Sequence, residues 1–419
     1  MKPKLLTTLR TYSPSLFAAD LFAGVTVALV ALPLSLAIAI ASGADPGKGL
    51  ITAIVGGFFI SLLGGSRVQI GGPTGAFIVV VYSVIAEFGY DGLVLATFMA
   101  GLILILAGAL RVGNLIAYVP EAVVDGFTMG IAIIIATSQL SDFLGLHPGA
   151  VPADFLHKLP VLWGARDSLN LGAVLIGLVT MVLIVFLRRL APRWPGLIVA
   201  VLAASALALL PGLNADTIGS RFGALPTSLP IPHLPELSVE RMVDLLPSAF
   251  VIAFLAGVES LLSAMVADRM IGGKHRPGAE VTAQGVANLA SSLFGGMPAT
   301  GAIARTATNV RAGGRTPIAG LVHAVTILLI MLLASPLAGY MAMPAMAALL
   351  MLTAWNMSEP HKWKHHLTAR RQDQILMALT LILTVLVDLT VAIGVGVGLG
   401  LAMRLRNRKV PNDWTPPDA

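Results

Sequence analysis

Gly295-Gly296-Met297-Pro298-Ala299-Thr300-Gly301-Ala302-Ile303-Ala304-Arg305 is the stretch on which the fold turns. Helix breakers, a hydroxyl and a lone arginine interrupt a strongly apolar neighbourhood. A shorter version, Gly71-Gly72-Pro73-Thr74-Gly75-Ala76-Phe77, occurs 226 positions earlier, counted from Thr74 to Thr300. Gly and Pro end one helix and begin the next, so the second starts inside an apolar medium with free N–H groups and a positive dipole end. Two such starts facing each other make a cavity suited to an anion. Paired breaks in matching positions of two hydrophobic halves are the sequence pattern of a transporter substrate site. The plainer reading is that Gly and Pro are tolerated in membrane helices generally. It accounts less well for two segments in register.

Composition sets the class. The 419 residues are 56% hydrophobic and only 11% charged, with a mean hydropathy of +0.87. Soluble domains carry about 25% charged residues, so the chain reads as an all-α polytopic membrane protein. It has no cysteine, which excludes disulfides, thiolate metal sites and a Cys nucleophile. Met1 to Ser15 lacks the short apolar core and cleavage site of a signal peptide, so the first span is expected to act as its own insertion signal. The net charge of +6 resides in short loops between apolar runs and does not point to nucleic acid.

Fourteen spans are expected. Span 1 covers about 21–42, with Pro33 inside it and Asp20 placed to cap it. Short span 2 (about 49–63) leads through an extended Val68-Gln69-Ile70 to broken span 3 (74–88). Spans 4 (92–110), 5 (123–144), 6 (171–187) and 7 (195–210) complete a first half, residues 1–210. A Pro-rich connection over 211–245 lies outside the membrane. Span 8 (246–265) opens a second half, residues 246–409, and short span 9 (282–294) leads to broken span 10 (300–310). Spans 11 (318–340), 12 (344–357), 13 (375–387) and 14 (389–405) follow. The 226-residue offset also sets Glu259 opposite Pro33. The halves therefore read as a 7+7 duplication, and an odd number of spans per copy inverts the second. Half-helices 3 and 10 then face each other near the bilayer midplane.

Loop charge agrees. With both termini cytoplasmic, 21 of the 27 Lys and Arg fall in inside loops. Only Lys48, Lys158, Arg166, Arg221 and Arg241 fall outside, and Arg305 lies in the membrane. That split obeys the positive-inside rule and predicts a multi-pass protein of a bacterial inner membrane.

Glu259 and Arg305 are the ionisable residues read as deepest in spans, and intramembrane charge marks function by default. Arg305, one turn into span 10, adds positive charge where an anion would bind. Its alternatives are to snorkel to the surface or to pair with Glu259. Glu259 reads as a proton carrier, as a structural counter-ion for Arg305, or as a sodium ligand helped by Ser263 one turn on. Thr74 and Thr300 offer hydroxyls to a ligand or cap their helices. Phe77 walls the cavity or sits in the core, and Gln69, a polar side chain beside the first break, is a candidate to line the site. His361, His365 and His366 stand with Lys362 and Lys364 in a loop better suited to anionic lipid than to metal. No P-loop, HExxH or Ser-His-Asp grouping is present, so an enzyme is not expected, and no cofactor beyond a coupling H+ or Na+.

Ala31-Leu32-Pro33-Leu34-Ser35-Leu36-Ala37, Gly71-Gly72-Pro73-Thr74-Gly75, Val119-Pro120 through Val124-Asp125-Gly126-Phe127, and Asn309-Val310-Arg311-Ala312-Gly313-Gly314-Arg315-Thr316 together resemble the sulfate permease (SulP) family, the prokaryotic side of solute carrier family 26. The resemblance spans the chain and implies core and gate domains, a site between spans 3 and 10, elevator-type alternating access and a homodimer. It implies substrates among sulfate, bicarbonate, chloride and dicarboxylates such as fumarate, moved by proton or sodium symport or by exchange. By position it places the site at Thr74, Gly75, Ala76, Ala299, Thr300, Gly301 and Ala302. Arg305 matches a basic position in some members. Glu259 and Ser263 fall where sodium-coupled bicarbonate members carry Asp and Thr, and the longer acid favours protons. Members usually continue into a cytoplasmic STAS domain, whereas residues 410–419 read as a short tail without one. A nucleobase permease of the same architecture would carry acids on both spans 8 and 10, and here span 10 has Arg305. An anion channel is the other alternative.

Overall fold

The computed structural model describes residues 2–111, 120–149, 151–152, 155–190, 195–210, 212–387 and 389–406. The tail over 410–419, with Val119, Arg193, Asp388, Arg408 and Lys409, lies outside them. A short N-terminal helix, α1 (Lys4–Thr8), precedes α2 (Pro14–Ala41), which is span 1. Ser13 caps α2 by accepting the Leu16 N–H at 3.4 Å, with Pro14 preset for the first turn.

Asp20 therefore does not cap span 1. It lies inside α2, fully buried, and its carboxylate accepts the N–H groups of Arg315 (2.8 Å) and Thr316 (3.1 Å), the Thr316 hydroxyl and the Tyr12 hydroxyl. The acid nails the turn ahead of span 11 onto span 1. Capping preference reads only local sequence, whereas the backbone donors that Asp20 meets lie some 295 residues away.

Helix α3 (Pro46–Leu63) is span 2, capped by Asp45 through the Gly47 N–H at 2.8 Å. Helix α4 (Ile78–Ala109) holds spans 3 and 4, separated where Gly89 turns left-handed at φ 72°. The first half continues with α5 (Glu121–Ser138), α6 (Leu140–Leu144), α8 (Leu171–Leu190) and α9 (Gly196–Ser205). An additional helix, α7 (Phe155–Gly164), stands between spans 5 and 6. In the connection, α10 (Ile218–Phe222) is held by a reciprocal capping box between Thr217 and Ser220. The second half comprises α11 (Val239–Ile271), α12 (Pro277–Leu293), α13 (Ile303–Arg311), α14 (Ile318–Ala338), α15 (Met343–Met357), a short α16 (Trp363–Thr368), α17 (Arg371–Leu386) and α18 (Leu389–Arg406).

Two bodies emerge from the packing. Helices α2, α3, α4, α11, α12, α13 and α14 pack on one another as a core, and α5, α8, α9, α15, α17 and α18 pack as a gate. Each draws helices from both halves of the chain. Among the described residues, seven helical stretches are long and apolar enough to cross a membrane. Leu171, Leu175, Leu178, Val182 and Phe186 on α8 stay exposed, the face that a bilayer would cover.

Candidate anion-binding site

The two broken segments meet each other directly. Gly71–Gly72 (β1) and Thr300–Gly301 (β2) pair antiparallel, Gly71 opposite Gly301 and Gly72 opposite Thr300. The Ala302 N–H extends the ladder to the Ile70 carbonyl at 2.9 Å. Extended backbone inside a membrane survives only if every polar group is satisfied internally. Here the two breaks largely satisfy one another. Side chains do the rest: Asn288 brackets Ala299 at both its N–H (2.9 Å) and its carbonyl (2.8 Å), Thr306 accepts the Ile70 N–H, and Asn309 donates to the Val68 carbonyl.

Glycine is required where these strands are crowded. A methyl group on Gly72 would overlap Nη1 of Arg305, and one on Gly301 would overlap the Gln69 amide. Gln69 itself is buried and donates to both the carbonyl and the hydroxyl of Ser260 (3.0 and 3.1 Å), so it ties the first break to span 8.

Arg305 is 1% exposed, yet it has no carboxylate partner among the described residues. Its guanidinium donates to Ser35 Oγ (3.0 Å), the Pro73 carbonyl (3.0 Å) and, more weakly, the Gly71 carbonyl (3.5 Å). It reaches from the second half into span 1 and β1 of the first and does not snorkel. Glu259, on α11, meets the same break from span 8: its Oε2 accepts the Thr74 hydroxyl at 2.8 Å. The buried arginine thus carries a charge offset only by carbonyl and hydroxyl dipoles, next to two half-helix starts. That is a positive field with room for an anion's charge.

The remaining residues divide. Thr74 precedes the Gly75–Phe77 turn without capping it, its hydroxyl being given to Glu259. The Thr300 hydroxyl donates to the Ala256 carbonyl at 2.8 Å and is turned away from its own helix. Ala76 and Phe77 belong to the main apolar core. Gly301, Ala302 and Ala299 are buried in the strand region, whereas Ile303 is 42% exposed two residues beyond β2. On the side of span 3, a methyl group on Gly75 would lie 3.0 Å from Met357 Sδ and 3.5 Å from Ile135 Cδ1, both on the gate. Ser263 is not joined to Glu259: its hydroxyl bonds Thr306 Oγ1 at 3.1 Å.

One buried network escaped the sequence reading. Glu280 accepts the N–H groups of Gly65 and Ser66 and the side chains of Ser260 and Gln284. Glu280, Gln284 and Asn288 recur every fourth residue on α12, one helical face, and that spacing was the available signal. Among the described residues no cluster of three His, Cys, Asp or Glu could hold a metal.

A membrane transporter of anions is what this fold and site define. Residues 17–380 match the sulfate permease family, and the chain belongs to that family. Its members are transporters and not enzymes. The chain is 43% identical over 376 residues to YvdB of Bacillus subtilis, a protein named for sulfate transport, covering 89% of this chain and 71% of the relative. It is 33% identical over 343 residues to the bicarbonate transporter BicA of a Picosynechococcus species, covering 79% of this chain and 60% of the relative. The solved transmembrane domain of a cyanobacterial BicA superposes with a TM-score of 0.78 at 30% identity, over 91% of this chain and 99% of that one. SLC26A9 superposes at 0.86 with 17% identity, over 97% of this chain and 68% of that one, a likeness of fold. The architecture is thus the 7+7 inverted repeat of these membrane domains.

Proposed function

We propose that this chain is a proton-coupled secondary transporter of small oxyanions, bicarbonate or sulfate foremost and dicarboxylates such as fumarate next. The anion binds between the starts of spans 3 and 10 in the field of Arg305, and Glu259 carries the proton. Core and gate slide past one another to alternate access, in a homodimer of a bacterial inner membrane with both termini cytoplasmic. No cofactor takes part.

The hydrogen bond from Thr74 to Glu259 carries this reading. It sets a carboxyl group with no cationic partner among the described residues at the mouth of one half-helix, where a proton and an anion would meet. Kinship with proteins named for bicarbonate and sulfate supports the substrate class. Sodium coupling is the second reading, and a bound hard cation needs several converging oxygens. The engagement of Ser263 with Thr306 removes the nearest helper from Glu259 and favours the proton.

The test is uptake by proteoliposomes made inside-alkaline, offered labelled bicarbonate, sulfate and fumarate in turn. Uptake of at least one that rises with the proton gradient and ignores sodium is expected. Uptake that follows sodium, or neither ion, would replace the proton assignment.

A further inference from the structure

The N-terminal segment holds a second cationic feature, remote from Arg305. Helix α1 is clamped across two turns of the core. The Lys4 N–H donates to the Gly64 carbonyl (2.9 Å) after span 2, and Lys4 Nζ donates to the Lys274 carbonyl (2.8 Å) after span 8. From below, Arg276 donates to the Lys2 carbonyl at 2.8 Å and its N–H reaches the Gly65 carbonyl at 3.1 Å. The clamp brings Lys4, Arg67 and Lys274 around a cleft of about 240 Å³ lined also by the hydroxyl residues Thr7, Thr8 and Thr11. A neighbouring cleft of about 380 Å³ holds Lys2, Arg111, His275 and Arg276.

The acids nearby are already engaged. Asp268 accepts the His275 N–H at 2.7 Å and its ring nitrogen at 2.6 Å, and Glu280 faces inward to the Gly65 and Ser66 N–H groups. Burial, and then the charges of Arg276 and Arg67, hold the Lys4 ammonium below the usual lysine range. Among the described residues neither Lys4 nor Arg67 has a carboxylate partner, and backbone bonds fix Lys4 in place.

A second, independent feature says what would offset it. On the other side of the same turn Leu6 is 57% and Leu9 47% exposed, and Phe17, Leu21 and Phe22 continue the exposed apolar strip along α2. Cations at one end and a strip of apolar side chains running from them match a phosphate headgroup with acyl chains attached. A free phosphate would use the cations and leave the strip bare.

We propose that the cleft between Lys4 and Arg67 binds the headgroup of an anionic phospholipid, with its acyl chains along Leu6, Leu9 and α2. The bound lipid staples α1 to the turns after spans 2 and 8, the first of which leads into broken span 3.

The full chain in detergent, titrated with phosphatidylglycerol or phosphatidylcholine and read by native mass spectrometry, tests this. Phosphatidylglycerol is expected to bind discretely and phosphatidylcholine not. Each cation near a headgroup contributes about fivefold in affinity, so K4Q/R67Q should bind phosphatidylglycerol about 25-fold more weakly. Arg67 is exposed and makes no bond among the described residues, so R67Q alone keeps the fold and should lose about fivefold. Equal binding of both lipids, or undiminished binding in R67Q, would overturn the assignment. Thermal stabilisation by inorganic phosphate equal to that by phosphatidylglycerol would make the site one for free phosphate and overturn the lipid reading.

Discussion

Thr74 and Glu259 join the two halves of the chain: the hydroxyl ahead of span 3 donates to the carboxylate on span 8 at 2.8 Å. Arg305 crosses in the same sense, from span 10 to Ser35 on span 1. Acid and base thus both engage the first break, at Thr74 and at Gly71 and Pro73, and not each other. An ion pair between them would have cancelled the field that an anion needs.

That separation yields a first prediction. Thr74→Val removes the hydroxyl donor to Glu259, and Thr74→Ser keeps it. Gradient-driven anion uptake should fall about tenfold in the valine variant, the worth of one buried hydrogen bond, and stay within about twofold in the serine variant. Similar rates in all three proteins would exclude a part for this contact in coupling.

Arg305→Gln leaves a neutral side chain where the guanidinium met Ser35 and Pro73. A hydrogen bond from a charged donor is worth about 1.5–3 kcal/mol, so the half-saturating anion concentration should rise about 10- to 100-fold. Arg305→Lys should recover little of it, because one ammonium cannot reproduce the planar fork. Initial rates over a range of anion concentrations decide this.

Crowding at Gly301 gives a test of the strand pair. Gly301→Ala should destabilise the protein through overlap with Gln69, by about 1–3 kcal/mol as overpacking does. Trimming the obstacle in Gly301→Ala/Gln69→Ala should restore part of that loss, visible as non-additive shifts in thermal melting.

Asp20 and Ser13 separate a long-range tie from a local cap. Asp20→Ala orphans the Arg315 and Thr316 N–H groups and should cost about 1–3 kcal/mol for each buried group left unmet. Ser13→Ala removes only an N-cap, about 1 kcal/mol. Thermal melting of both variants should show the larger loss at Asp20.

The breaks at Gly71–Thr74 and Gly295–Thr300 were legible because Gly and Pro act through the backbone of their own residues. The division at Gly89 was legible for the same reason, from the Gly and polar residues between two apolar runs. Long-range polar ties were not. Asp20 looked like a cap, Gln69 like a pocket lining and Ser263 like a partner of Glu259, because their neighbours in sequence suggested as much. Their actual partners, Thr316, Ser260 and Thr306, are set by which helices touch. Glu280 sat outside the apolar window used to place span 9, and the helix begins earlier, at Pro277. The paired residues are Gly71 and Gly72, just after Val68-Gln69-Ile70.

The central claim is that an anion enters with a proton carried by Glu259. It is tested most directly by proteoliposomes loaded with a pH-sensitive dye, held without an initial pH gradient, and given external sulfate. Lumenal acidification in step with sulfate uptake, lost in Glu259→Gln while labelled sulfate still exchanges, is the predicted result. Sulfate entry with no acidification, or acidification undiminished in Glu259→Gln, would contradict it.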